Sequence, residues 1–148
     1  MIFNQKRLRY SLYINPTLFG ADITGVNRPV SYKCKMFSLS SVLKDMQGEI
    51  IAQQKRSSWW RLVFEMQTEE GEYKFYEKFG AYYLEHETGE TFFTHNSMGF
   101  YNKYMKSVTD LKYTKKFGKM WKLDLLTDKH QSAFVLASVT MCKLNPAI

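Results

Sequence analysis

A chain of 148 residues with 45% apolar residues can form one globular domain with its own core, and we expect a single domain over 1–148. The aromatic fraction of 16% excludes a disordered chain and favours β-strands. The formal charge is +7, which suits anionic partners. No apolar run has the roughly 18 residues of a membrane-spanning helix, and no signal peptide is evident, so a cytoplasmic protein is expected.

The first predicted elements are antiparallel strands with one polar and one apolar face. In "RLRYSLYIN" the residues Leu8, Tyr10, Leu12 and Ile14 share one side. Strict alternation of this kind is typical of a strand with one buried face.

Three Gly-Glu pairs then predict hairpin turns at Gly48, Gly71 and Gly89. Glycine adopts positive φ without steric cost, and apolar runs of strand length lie on both sides of each pair. Within "EYKFYEKF" the alternation places Phe75 and Phe79 on the same side. These patterns together predict a β-meander.

The next segments predict further strands. "YNKYMKSVTD" and "DLKYTKKF" are interpreted as a strand pair with Asp110 at the bend, and "KMWKLDLLT" as a late strand. "EKFGAYYLEHETGE" and "KKFGKMWKLDLLTD" are alike, which indicates a repeated strand-turn-strand unit.

The C-terminal segment is apolar on almost every side and predicts a buried helix at about 131–144. Asp128 or Ser132 could cap its start, and Asn145-Pro146 would end it. Its β-branched residues leave a buried strand as the alternative. The predicted fold class is mainly β: a closed antiparallel β-barrel, built as a meander of hairpins around one buried hydrophobic C-terminal α-helix.

Three stretches carry a resemblance to a known family: "KCKMFSLSSVLKDMQGEIIAQQKR", "YTKKFGKMWKLDLLTD" and "AFVLASVTMCKL". Over residues 32–144 the chain resembles the tubby C-terminal-like domain, and within it the small bacterial-type members of the LURP-one-related family. The resemblance implies a barrel threaded by its last helix and a basic surface that binds phosphoinositides. No binding residue is transferred from the family, since no position can be matched.

The most distinctive stretch is "KRSSWWR", in which Lys55, Arg56 and Arg61 enclose Trp59 and Trp60. Tryptophan favours the headgroup level of a membrane, and cations attract phosphate. The same residues could hold nucleic acid, which we regard as the weaker interpretation. A plain turn with one Trp in the core is the structural alternative.

A second basic-aromatic stretch contains Lys115, Lys116 and Lys119. It would extend the first site if the strands that carry the two stretches are neighbours. Otherwise these lysines are solvated side chains that protect a sheet edge.

The sequence contains no HExxH, CxxC, GxSxG or phosphate-binding loop, so no catalytic site, metal site or cofactor is predicted. His86, His95 and His130 are interpreted as structural or surface residues, and Cys34 and Cys142 as free thiols, with one bridge between them as the alternative. The predicted function is non-enzymatic binding of anionic phospholipid headgroups or a membrane surface, peripherally. The alternatives are a protein-protein interaction module, and a small-ligand carrier or enzyme with an internal cavity.

Overall fold

The computed structural model describes residues 10–26, 29–38, 40–58, 60–114 and 120–145. These residues form twelve strands and one helix. The strands are β1 (Tyr10–Thr17), β2 (Gly20–Gly25), β3 (Ser31–Phe37), β4 (Ser40–Lys44), β5 (Ile50–Arg56), β6 (Val63–Thr68), β7 (Gly71–Lys78), β8 (Ala81–His86), β9 (Thr91–Thr94), β10 (Phe100–Tyr101), β11 (Thr109–Thr114) and β12 (Met120–Leu125). The helix α1 spans Gln131–Leu144.

All twelve strands belong to one antiparallel sheet. Strands β1 to β10 follow one another in chain order, and β12 and then β11 extend the sheet beyond β1. The two outer strands meet where the backbone N–H of Val108 donates to the carbonyl of Phe100 at 2.9 Å. The N–H of Phe100 donates in turn to the Thr109 hydroxyl at 2.8 Å. The sheet is therefore a nearly closed barrel, which confirms the predicted fold class.

The predicted hairpin turns are confirmed. Gly48, Gly71 and Gly89 have φ values of 84°, 118° and 96°, a region that disfavours other residues. The predicted alternation also holds in the strand interiors, where Leu12 and Phe64 are fully buried. The meander can thus be derived from turn chemistry and from alternation.

Two local predictions are wrong. Phe79 does not share the buried side of Phe75, because Phe79 and Gly80 both have positive φ and form the two-residue turn between β7 and β8. Asp110 is not at a bend: it lies within β11, opposite Asp124 of β12. The strand predicted before it is reduced to the two residues of β10, followed by a loop over 102–108.

The helix begins and ends where the sequence predicted. All ten residues from 133 to 142 are buried, so the helix has no solvent-facing side along its centre. Its contacts come from opposite parts of the wall: the ring of Phe134 packs against Phe92 and Phe100, and the Thr140 hydroxyl accepts a hydrogen bond from Gln54 at 2.9 Å. The sheet therefore encloses the helix.

The predicted helix caps are wrong. Neither Asp128 nor Ser132 caps the helix: the N-cap residue is His130, in a left-handed conformation with φ 61°. The backbone N–H of His130 donates to both carboxylate oxygens of Glu70 at 2.9 Å, and the Ser132 hydroxyl donates to Glu69 at 2.8 Å. The acidic β6–β7 turn thus supplies the negative charge that a helix N-terminus favours.

Candidate anion and membrane interface

One end of the barrel carries large exposed apolar side chains. This end holds the C-terminus of α1, since Lys143 donates to the carbonyl of Thr17 at the end of β1. It also holds the β1–β2, β3–β4, β5–β6 and β7–β8 turns, which are four successive hairpins. We define the apolar rim as the exposed side chains at these turns: Leu18 (85% exposed), Phe19 (69%), Phe37 (80%), Trp60 (94%) and Phe79 (96%).

The apolar rim is also basic. The four turns, each taken with the two strand residues on either side, contain four basic residues and one acidic residue among those described. The basic residues are Lys55, Arg56, Arg61 and Lys78, and the acidic residue is Glu77. The Lys78 ammonium lies 5.7 Å from the centre of the Phe79 ring, so a positive charge and an exposed aromatic side chain lie side by side at the β7–β8 turn.

The opposite end of the barrel is acidic. The β2–β3, β4–β5, β6–β7 and β8–β9 turns, taken with the same flanking residues, contain one basic residue among those described, Lys44. The acidic residues of this set are eight: Asp45, Glu49, Glu69, Glu70, Glu72, Glu85, Glu87 and Glu90. The barrel therefore carries opposite charge at its two ends, which orients it in an electric field.

Part of the predicted site lies on the apolar rim. Lys55, Arg56, Trp60 and Arg61 are all exposed there. Hydrogen bonds within the loop set its shape: the Arg56 Nε–H donates to the carbonyl of Ser58 at 3.0 Å, and the Arg61 N–H donates to the Ser58 hydroxyl at 3.3 Å. Trp60 belongs to the same loop and is 94% exposed.

The other predicted site residues, Trp59, Lys115, Lys116 and Lys119, lie outside the described residues. Thr114 and Met120, which flank the lysine segment, pair with each other at the same end of the barrel as the apolar rim. However, four strands separate β5–β6 from β11–β12 in either direction around the barrel. The strands that carry the two stretches are therefore not neighbours.

Sequence reasoning missed the apolar tips at Leu18, Phe19, Phe37 and Phe79. A usable signal exists for two of them, because Phe19 and Phe79 each directly precede a glycine at a strand boundary. A large apolar residue within a tight turn cannot join the core, since its side chain leaves the strand alternation. The four hairpins share one end because every second turn of an antiparallel meander lies at the same end of the sheet.

A buried polar cluster fixes the other end of α1. The Tyr73 hydroxyl lies 2.5 Å from Nδ1 of His130, and Nε2 of His130 lies 2.8 Å from the Glu90 carboxylate. Burial raises the pKa of Tyr73 above its usual value, and the nearby charge of Glu70 raises it further. His86 packs its ring 5.0 Å from that of His130. This geometry agrees with a structural role for His130, which is buried and hydrogen-bonded at both ring nitrogens.

Both cysteines are buried free thiols. Burial raises the pKa of Cys34 from 9.0 to about 11, and it raises the pKa of Cys142 as well. Thiols in this state are inert, because the thiolate is the reactive form.

Across the part of the chain that the structure describes, no cluster of three or more His, Cys, Asp or Glu side chains could hold a metal ion. Within the same residues, no helix has the length and apolar character needed to cross a bilayer. In comparisons with protein-family models, with curated proteins and with solved structures, nothing matches the chain. The resemblance to the tubby-like and LURP-one-related proteins therefore stays a prediction from the sequence.

Proposed function

We propose that the protein is a non-enzymatic binding module that attaches peripherally to membranes containing anionic lipid, through the apolar rim and its cations. The observation that carries this proposal is that the four most exposed large apolar side chains of the described residues share one end of the barrel with an excess of cations; they are Leu18, Phe37, Trp60 and Phe79. We infer that in a cell the protein would act at the cytoplasmic face of a membrane, because anionic lipids there attract basic segments.

The apolar tips support insertion into the headgroup region. Their side chains are 69% to 96% exposed, so little of their apolar surface is buried in the free protein. Transfer of that surface out of water is favourable, and tryptophan is enriched at the membrane interface. Because the tips lie on four successive hairpins, one surface can contact all of them together.

The charge distribution supports a single orientation. An anionic surface attracts the rim, where cations outnumber acids, and repels the acidic end that holds the N-terminus of α1. Salt weakens both effects, because the Debye length is only about 8 Å at physiological ionic strength.

A protein partner remains the alternative occupant of the rim. The exposed side chains alone suit either partner, since patches of this kind occur at both types of interface. Binding of a purified acidic protein, without any binding to anionic vesicles, would favour it. A small-ligand carrier or enzyme is the other alternative: a cavity of about 450 Å³ lies between the start of α1 and the wall at the acidic end, and Leu12, Leu43, Leu125 and Val135 form part of its lining.

The test is flotation of the protein with vesicles of phosphatidylcholine, with and without phosphatidylglycerol. The variant Phe79→Ser removes one tip beside Lys78. Its matched control is Tyr104→Ser, since Tyr104 is 73% exposed, has Lys103 5.2 Å from its ring centre and lies in the loop at the acidic end.

We expect Phe79→Ser to weaken binding to anionic vesicles about three- to tenfold, in proportion to the apolar surface removed from the interface. Tyr104→Ser should leave binding unchanged. Equal binding to neutral and anionic vesicles, or equal losses in the two variants, would contradict the proposal.

A further inference from the structure

A groove of about 550 Å³ lies on the outer face of β3, β4 and β5, beside the apolar rim. Phe19, Phe37 and Val42 supply its apolar lining, and Lys35 and Lys55 lie at its sides. Its volume falls within the range of about 300–1,000 Å³ that is usual for small-molecule sites. An apolar groove on the outward face is unexpected, because that face of a barrel in water is normally polar.

The strand register builds the groove. Lys35 of β3 is paired with Val42 of β4, which is paired with Gln53 of β5, so a branched aliphatic side chain lies between two long polar ones. The β1–β2 turn forms one wall: the carbonyl of Phe19 accepts a hydrogen bond from the N–H of Met36 at 2.8 Å. This bond holds Phe19 against β3.

The backbone around the groove decides the kind of occupant. Strands β3, β4 and β5 are each hydrogen-bonded to a strand on both sides, so none offers a free edge. An extended peptide would need such an edge to bind by strand addition. A hydrocarbon chain needs no hydrogen bonds and can lie along Phe37 and Val42.

The charges indicate the headgroup of that occupant. Lys35 and Lys55 are exposed, and among the described residues neither has an acidic partner within 4.0 Å. An amphiphile has a charged head and an apolar chain, and a protein binds the two parts separately. An ammonium group at the end of an apolar groove can bind the anionic head while the groove binds the chain.

We propose that this groove binds the single acyl chain of an anionic amphiphile, with its carboxylate or phosphate at Lys35 or Lys55. The site deepens the proposed membrane function and rests on it for its biological setting, since the groove adjoins the rim. The chain could come from a dissolved fatty acid or from an anionic lipid of the bilayer, and the chemistry is the same.

The experiment measures displacement of a fluorescent fatty acid from the purified protein by hexadecanoate, by lysophosphatidic acid and by zwitterionic lysophosphatidylcholine, each below its micelle concentration. Val42→Glu places a carboxylate in the groove. Phe37→Ser removes an aromatic side chain that lines the groove but is too exposed to contribute much to the core. The matched control is Ile50→Ser, an exposed apolar residue of β5 at the opposite end. Vesicle flotation of the same variants forms the second arm.

We expect the two anionic amphiphiles to bind more tightly than the zwitterion. Val42→Glu and Phe37→Ser should weaken binding at least tenfold, and Ile50→Ser should not. If Val42→Glu loses amphiphile binding but still binds vesicles fully, the ligand of the groove is a dissolved fatty acid. If Val42→Glu loses both amphiphile binding and vesicle binding, the ligand of the groove is a lipid of the bilayer.

The remaining outcomes either overturn this proposal or separate it from the membrane function. If vesicles bind but no single-chain anion does, the groove has no such ligand and the membrane function stands. If amphiphiles bind but vesicles do not, the membrane function fails and the groove remains a carrier site. A dimer that Phe37→Ser converts to a monomer would show that a second copy of the chain covers the groove, which would also overturn it.

Discussion

The Tyr73 hydroxyl lies 2.5 Å from Nδ1 of His130, and this contact joins the wall of the barrel to the first turn of the helix inside it. Tyr73 belongs to β7, and the Glu90 carboxylate, from the turn before β9, binds the other ring nitrogen of His130. Two hairpins thus hold one imidazole between them. The start of α1 is positioned by the sheet rather than by its own sequence.

We expect Tyr73→Phe to destabilise the protein by about 1–3 kcal/mol, because Nδ1 of His130 loses its closest partner in a buried site. Urea denaturation measures the change in the free energy of unfolding. The control is Tyr83→Phe, since Tyr83 is half-buried and its ring stacks on Tyr76, 5.2 Å away. A loss below about 0.5 kcal/mol in Tyr73→Phe would show that the contact is not stabilising.

Removal of the Glu70 carboxylate should also loosen the helix start. Both oxygens of Glu70 accept from the backbone N–H of His130, so we expect Glu70→Ala to cost about 0.5–2 kcal/mol, as loss of an N-cap does. Glu72→Ala, in the same hairpin, changes the charge equally and serves as the control. Equal losses in the two variants would assign the effect to net charge instead.

Stability should fall as the pH rises from about 9 to about 11. An unfolded Cys34 thiol ionises near its ordinary pKa of 9.0, whereas the folded thiol keeps its proton until about pH 11. The folded state then binds more protons than the unfolded state, and the free energy of unfolding decreases with pH. Cys34→Ala should reduce this slope without removing it, because the pKa of Cys142 is raised too. An unchanged slope in urea titrations at several pH values would refute this assignment.

Gly99 lies where the two outer strands β10 and β11 meet, and we expect this position to tolerate no side chain. A Cβ atom there would lie 2.4 Å from the carbonyl oxygen of Thr109 in β11. We expect Gly99→Ala to cost at least about 2 kcal/mol, since backbone must move. Gly48→Ala meets no atom within 4 Å and should cost only about 1 kcal/mol, from its positive φ. Thermal unfolding compares the two, and a reversed order would contradict the geometry.

Charge reversal at the rim should abolish the preference for anionic vesicles. Arg56→Glu with Arg61→Glu replaces attraction by repulsion, so binding should weaken and its salt dependence should decrease. Lys103→Glu with Lys106→Glu changes the net charge by the same amount in the exposed loop at the acidic end. Flotation at low and high salt is the measurement. If the second pair weakens binding as much as the first, net charge rather than the rim governs attachment.

The sequence predicts most of the fold because the decisive signals are local. Gly48, Gly71 and Gly89 mark turns through φ, and the apolar run before Asn145 marks the helix. The helix cap could not be derived, because Glu70 and His130 are 60 residues apart and meet only when the barrel closes. The sequence predicts Asp110 at a bend because a polar residue on the outer face of a strand resembles a turn residue.

The candidate site could be predicted only in part for the same reason. "KRSSWWR" is basic and aromatic within seven residues, so it is visible in the sequence. Phe19, Phe37 and Phe79 are isolated apolar residues in separate turns, and strand alternation assigns such residues to the core. Their common location follows only from the order and direction of the strands, because every second turn of an antiparallel meander lies at the same end of the sheet.

The enclosed helix has a consequence for synthesis. Because α1 follows all twelve described strands in the chain, the ribosome releases the wall of the barrel before it releases the helix that this wall encloses. Nascent strands with inward apolar faces and nothing to cover them are prone to aggregate. We expect chaperones to hold the emerging sheet, and folding to be completed only after translation has passed Leu144.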